Sequence, residues 1–169
     1  MRRYLPHVAI ALGVAILIYV VFFGESDEDA IRERLDLLEA TIEVKGTQEN
    51  LVIRGARIKE AFTELFVKDV TIQIPELTQV KTGRTELTGL AARAPSWYRT
   101  ASVDLGGLRV DVGEQAVSAH VSGLATLTAT RLTGELSRDT RTVSLRFDKI
   151  EGDWKIVSLS VSAKEEVDE

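Results

Sequence analysis

Apolar positions fall into three regimes along the chain. From Val8 to Phe23 (VAIALGVAILIYVVFF) they run without interruption. Between Asp27 and Ala94 they recur mostly at helical spacing, with one short alternating stretch. Beyond Ser102 they alternate with polar residues almost to the C-terminus. An unbroken run buries every side of a segment, spacings of three and four bury one face of a helix, and a period of two buries one face of a sheet.

Ser26 precedes Asp27, Glu28 and Asp29, a helix start in which the hydroxyl accepts from a free amide and the carboxylates face the positive end of the dipole. Ile31, Leu35, Leu38 and Ile42 then form one stripe, and Gly46 after Lys45 is a stop. The first helix is predicted over residues 27–45. A second is predicted over residues 51–66, burying Ile58, Phe62, Leu65 and Phe66. Gly55 weakens its first half by about 1 kcal/mol relative to alanine, unless it serves close helix packing. Residues 70–74 (VTIQI) alternate as a strand that stops at Pro75, and residues 76–83 read as a loop or short strand. The third helix, residues 84–94, carries Leu87, Leu90, Ala91 and Ala94 and ends before Pro95, with Trp97 and Tyr98 just beyond.

Four strands follow, over residues 102–112, 116–132, 140–150 and 154–163. The loops between them, Gly113-Glu114-Gln115, Thr133 to Asp139 and Glu151-Gly152-Asp153, each hold a glycine, and short hairpin loops with glycine make the strands antiparallel neighbours. Gly106-Gly107 predicts a bulge or sharp bend. In the last strand the apolar parity shifts: Trp154 and Ile156 share one face, Val157, Leu159 and Val161 the other. Either a bulge intervenes or the strand is covered on both faces. The order α-α-β-(β)-α-β-β-β-β predicts an α+β domain, a curved antiparallel sheet wrapped around about three helices.

The unbroken run reads as a transmembrane helix. Counted from Tyr4 to Gly24 it has about 21 residues and spans roughly 31 Å, matching the hydrocarbon core of a bilayer. A cleavable signal needs small residues before the cut, whereas this run ends Val21-Phe22-Phe23-Gly24. A buried globular helix would show a polar stripe, and none is present. The reading is an uncleaved signal anchor. Arg2 and Arg3 precede it and Glu25, Asp27, Glu28 and Asp29 follow, which keeps the N-terminus cytoplasmic. Residues 1–24 are then the cytoplasmic stub and anchor of a bacterial inner-membrane protein, and residues 25–169 a single periplasmic or otherwise extracytoplasmic domain.

Composition narrows the partners. With Arg2 and Arg3 on the cytoplasmic side, 19 basic residues face 26 acidic ones in the remainder, a net charge of −7. That excludes a nucleic-acid footprint and adhesion to anionic lipid. Cysteine is absent, so no disulfide, thiolate nucleophile or cysteine metal site exists. The two histidines, His7 and His120, offer no multi-histidine metal site. No cofactor is expected.

The helix start at residues 30–42, the step Leu65-Phe66-Val67-Lys68-Asp69-Val70-Thr71-Ile72 and the final hairpin Arg146-Phe147-Asp148-Lys149-Ile150-Glu151-Gly152-Asp153-Trp154-Lys155-Ile156 resemble the nuclear transport factor 2-like superfamily, the cystatin-like cone. The Gly-x-Trp-x-Ile opening of the last strand is similar to SnoaL-type members. The resemblance covers about residues 27–163. It implies either a cone-cavity dehydratase, isomerase or cyclase, or a non-catalytic binding or assembly domain.

No catalytic set is legible. Asp69 reads as a solvated residue at the helix-to-strand corner. Asp104 shares parity with Leu108, Val110 and Val112 unless a bulge at Gly106-Gly107 reverses it, so an inward carboxylate there is a candidate general base; a surface acid beside the bulge is the simpler reading, because few acids are buried. His120 shares parity with Ser118, Ser122, Thr126 and Thr128, a polar sheet face turned to solvent. Together with Thr142, Ser144, Ser158 and Ser160 that face is a hydroxyl-rich surface, solvated or packed on a second copy or an envelope subunit.

The sequence therefore points first to a single-pass, membrane-anchored interaction or assembly module without catalysis. The alternative is a tethered small-molecule binder, or a cone-cavity enzyme with an acidic base. A cavity filled by Trp97, Trp154 and Phe62 would remove that alternative.

Overall fold

The computed structural model describes residues 26–46, 50–75 and 81–162. Helix α1 (Asp27–Ile42) starts as its sequence dictates, with Ser26 Oγ accepting from the Asp29 amide at 3.1 Å. It ends three residues before the predicted stop. Glu43 turns extended and Val44, 2% exposed, pairs with Ala101 through bonds of 2.7 and 3.1 Å. Burial of Val44 against the sheet outweighs another turn of helix.

Helix α2 (Leu51–Leu65) is capped by Asn50, whose Oδ1 accepts from the Val52 amide at 2.9 Å. Its buried stripe is Ile58, Ala61, Phe62 and Leu65, together with Arg54. Strand β1 (Phe66–Gln73) begins four residues earlier than predicted. Phe66 opens the strand, and its ring meets that of Phe62 edge-on at 5.0 Å. Asp69 consequently lies within the strand, exposed, and not at a corner.

A two-residue strand β2 (Lys81–Thr82) leads into α3 (Arg84–Arg93) and a 3-10 turn at Ala94–Ser96. The meander follows as β3 (Tyr98–Val112), β4 (Ser118–Arg131), β5 (Leu136–Ile150) and β6 (Asp153–Val161). The six strands form one sheet in the order β2-β1-β6-β5-β4-β3. One expectation needs correcting: the sheet is mixed, because β1 runs parallel to β6. No hairpin joins those two strands, so no turn fixes their relative direction.

Three register shifts bend the meander, the first at the start of β3, where Arg99 is the extra residue between Tyr98↔Arg131 and Thr100↔Thr130. Between Gly106↔Leu124 and Arg109↔Ser122, β3 has two residues, Gly107 and Leu108, against the single Gly123 of β4. Gly107 adopts φ +61°, which glycine reaches without strain. Between Arg146↔Ser158 and Phe147↔Ile156, Val157 is the extra residue of β6. That bulge returns Trp154, Ile156, Leu159 and Val161 to one face and explains the parity shift.

The inner face of the sheet packs on the helices. Ile31, Leu35, Ile58 and Leu65 meet Val121, Leu145, Phe147 and Ile156 in a continuous core. The expected α+β architecture, three helices against a curved sheet, is the one observed. Among the described residues no helix is long and apolar enough to cross a membrane; the expected anchor, Val8 to Phe23, lies outside them.

Candidate functional site

The inner face is not fully covered. A cavity of about 560 Å³ remains between the C-terminal half of α1 and the sheet. Leu38, Glu39 and Ile42 line it from α1, Val103 and Leu105 from β3, and Ala125 and Leu127 from β4. Val143 and Leu145 of β5 and Leu159 and Val161 of β6 complete the apolar wall. Leu127 keeps 38% exposure, so the cavity reaches the surface there.

None of the three aromatic residues that could plug it does so. Trp97 is half exposed. Trp154 is buried, its Nε1 donating to Asp27 Oδ1 at 2.9 Å, and Phe62 belongs to the core beneath. The cavity is lined instead by aliphatic side chains, Tyr98 and three charged groups: Glu39, Asp139 and Arg141.

The register places those charges at two poles. Leu105, Ala125 and Arg141 are cross-strand neighbours, as are Val103, Leu127 and Asp139. At about 4.8 Å per strand, β5 lies roughly 10 Å from β3. On the β5 side Arg141 Nε and Nη2 both donate to Asp139 Oδ2, at 2.9 and 2.6 Å. This pole holds an ion pair of opposite charges.

Glu39 stands at the other pole, where β3 forms the edge of the sheet. Its carboxylate accepts the Leu105 amide, a donor that an edge strand would otherwise leave unpaired. Arg32 covers the same edge farther on, with Nη2 3.5 Å from the Leu108 carbonyl. Burial pushes the Glu39 carboxyl above its usual range; the Leu105 amide opposes the shift, and the charges of Asp104 and Asp36 add to it. Among the described residues Glu39 has no ion-pair partner.

Asp104 itself is exposed, between Val103 and Leu105, both of which line the cavity. The bulge at Gly107 reverses parity, so Asp104 does not share the face of Leu108 and Val110. His120 is exposed on the outer face, its Nε2 3.4 Å from Ser144 Oγ. The structure brings neither into the cavity, nor to each other. Among the described residues no group of three or more acidic or histidine side chains could hold a metal ion.

Sequence reasoning overlooked the charges that do line the cavity, although their positions carried a signal. Glu39 lies four residues after Leu35 and three before Ile42, on the buried stripe of α1. Asp139 and Arg141 share the parity of Val143, Leu145 and Phe147.

Comparison with known proteins agrees with the architecture. No protein-family model and no curated protein sequence matches the chain. Solved structures do. A nuclear transport factor 2-like superfamily protein from Salmonella enterica superposes with a TM-score of 0.65 at 15% identity, covering 84% of this chain and 94% of that one. The chain has the nuclear transport factor 2-like fold. A type 2 hexachlorocyclohexane dehydrochlorinase matches with a TM-score of 0.63 at 13% identity, over 80% of this chain and 83% of its own. The association domain of C. elegans CaMKII matches with a TM-score of 0.56 at 19% identity, over 80% and 94%. One neighbour is thus an enzyme and another an assembly domain, so the fold itself does not choose between them.

Proposed function

We propose that the chain is a membrane-tethered small-molecule-binding domain, held on the extracytoplasmic side by Val8 to Phe23. The observation that carries the binding is the cavity of about 560 Å³, lined by aliphatic side chains with charged groups at two poles. Clefts of roughly 300–1,000 Å³ with apolar walls and a few placed polar groups are the usual form of ligand sites. The tether rests on the unbroken apolar run and the Arg2-Arg3 and acidic flanks. Binding without chemistry is favoured because Asp104 faces away from the cavity and the Glu39 carboxylate is tied to the sheet edge.

The test uses the full chain in nanodiscs of zwitterionic lipid, titrated with the uncharged dye Nile red. Ala125, on the cavity wall between Leu105 and Arg141, is replaced by tryptophan to fill the space. Saturable, blue-shifted emission from the native chain that Ala125→Trp lacks is the expected result. Identical titrations of the two would sink the binding reading. A reporter fused after Glu169 tests the topology separately, and cytoplasmic activity would overturn it.

A second reading is favoured by the outer face of the sheet. Ser122, Ser144 and Ser160 are cross-strand neighbours there, and Thr126 Oγ1 lies 3.0 Å from Thr140 Oγ1. Leu124 stays 49% exposed and Leu136 68% exposed on that face, which leaves apolar surface for a second copy. A homodimer through this face is compatible with a filled cavity. Sedimentation of native and Leu124→Lys proteins decides it: a native dimer that the variant converts to monomer is expected, and a monomeric native protein would end this reading.

A further inference from the structure

We propose that Glu39 makes the cavity selective for apolar molecules bearing a hydrogen-bond donor, an ammonium above all, and hostile to carboxylates. This deepens the binding reading and rests on it. An ionised carboxylate is an acceptor with room for several donors. One is supplied, the Leu105 amide, and among the described residues no side chain supplies another. The surrounding wall is apolar, with Leu38, Leu105 and Ala125 in the same lining.

The charge balance of the cavity gives the sign. Asp139 and Arg141 neutralise each other at the far pole, so the net charge of the lining is that of Glu39. Asp36 and Asp104 stand close enough to act on Glu39 with the same sign from outside. A ligand ammonium placed at Glu39 forms a charge-assisted hydrogen bond against an apolar wall. A hydroxyl forms a neutral donor bond, and a carboxylate adds a like charge. The apolar body would lie along the Leu105–Ala125 row toward β5, over the roughly 10 Å between the poles.

Three fluorescent probes with one aromatic body and different heads provide the test: pyrenemethylamine, pyrenemethanol and pyrenecarboxylate. Each is titrated into the full chain in zwitterionic nanodiscs, with Ala125→Trp as the blank for uptake by lipid. The amine should bind at least about tenfold more tightly than the carboxylate, with the alcohol between, since a charge-assisted bond is worth roughly 1.5–3 kcal/mol. Glu39→Gln keeps an acceptor for the Leu105 amide and so preserves the fold. It should weaken the amine by about tenfold while moving the alcohol by less than about threefold. Equal affinities of the three probes, or an order unchanged in Glu39→Gln, would overturn the selectivity and leave the cavity reading standing. No uptake above the Ala125→Trp blank by any probe would overturn both.

Discussion

Arg54, with no exposed surface, donates from Nη1 to the carbonyl of Glu43 at 2.8 Å. Its Nη2 reaches the carbonyls of Ile42 at 3.2 Å and Ala91 at 3.4 Å. One guanidinium thus meets carbonyls at the C-terminal ends of both α1 and α3, where helices leave them unpaired and the dipole favours a cation. Ile42 lines the cavity, so the same contacts fix one of its walls.

Replacing Arg54 by methionine removes the charge and takes this donor from the half-buried carbonyls of Ile42 and Glu43, while that of Ala91 keeps the Ala94 amide. A loss of about 2–4 kcal/mol is expected, larger than for an ordinary surface arginine. Urea denaturation of the two proteins measures it, and a loss under 1 kcal/mol would show that water takes over the carbonyls.

Asp27 ties the start of α1 to the final hairpin. Its Oδ1 accepts from Lys149 Nζ at 2.6 Å and Trp154 Nε1 at 2.9 Å. The bonds from Lys149 and then Trp154 hold its carboxyl below the usual 3.8, against a smaller opposing effect of burial. A depressed carboxyl stabilises the fold above its unfolded value, and that contribution disappears as pH falls below 3.8 and through the folded value. Asp27→Ala should cost about 1–2 kcal/mol at neutral pH, partly screened by solvent, and the difference from the native chain should shrink on acidification through this window. Denaturation at a series of pH values reads both effects.

Glu39 has the opposite sign. Its raised carboxyl favours the fold in the protonated form, so the contribution is full below 4.5 and is lost as pH rises through the folded value. Glu39→Gln should therefore match or exceed the native chain in stability at neutral pH, by less than about 1 kcal/mol, with the advantage fading as pH falls through the folded value and gone below 4.5. Glu39→Ala, which orphans the Leu105 amide, should instead lose about 1–2 kcal/mol. Thermal denaturation of the pair separates the acceptor from the charge.

Gly123 faces the bulge of β3. A Cβ on it would stand 2.8 Å from Leu108 Cδ2 and 2.9 Å from the Gly106 carbonyl oxygen. The leucine can turn away, but the carbonyl belongs to the backbone of the bulge. Gly123→Ala should destabilise by about 1–3 kcal/mol and disturb the cavity wall beside Leu105. By contrast, Gly55→Ala meets nothing within 4 Å on α2 and should stabilise by about 1 kcal/mol. Melting curves of the two variants, moving in opposite directions, check both statements.

Much of the domain was legible from residue order. The Ser26 cap, the stripes of α1 and α2, the glycine turns and the alternation beyond Ser102 gave the elements and the α+β class, because each depends on neighbours within a few residues. The pair Gly106-Gly107 marked a bulge or bend in β3, and the parity shift in the last strand left a bulge or a doubly covered strand open, which the structure decided for a bulge at Val157. Nothing local could show that Val44 would leave its helix to pair with Ala101, or that β1 would lie parallel to β6. Those outcomes depend on contacts between distant segments.

The same division holds for the site. Parity already put Glu39, Asp139 and Arg141 on inward faces, where charge is costly to bury, yet nothing local marked them as lining a cavity. Only the tertiary structure decided how that cost is offset: Asp139 with Arg141, Glu39 on the open edge of β3, Arg54 on two helix ends. It also decided that Trp97, Trp154 and Phe62 leave the inner face open, since a cavity is whatever volume remains after distant side chains have packed. By itself the sequence determined the apolar run at Val8 to Phe23 and the acidic domain behind it, because hydropathy and net charge are sums over residues and need no fold.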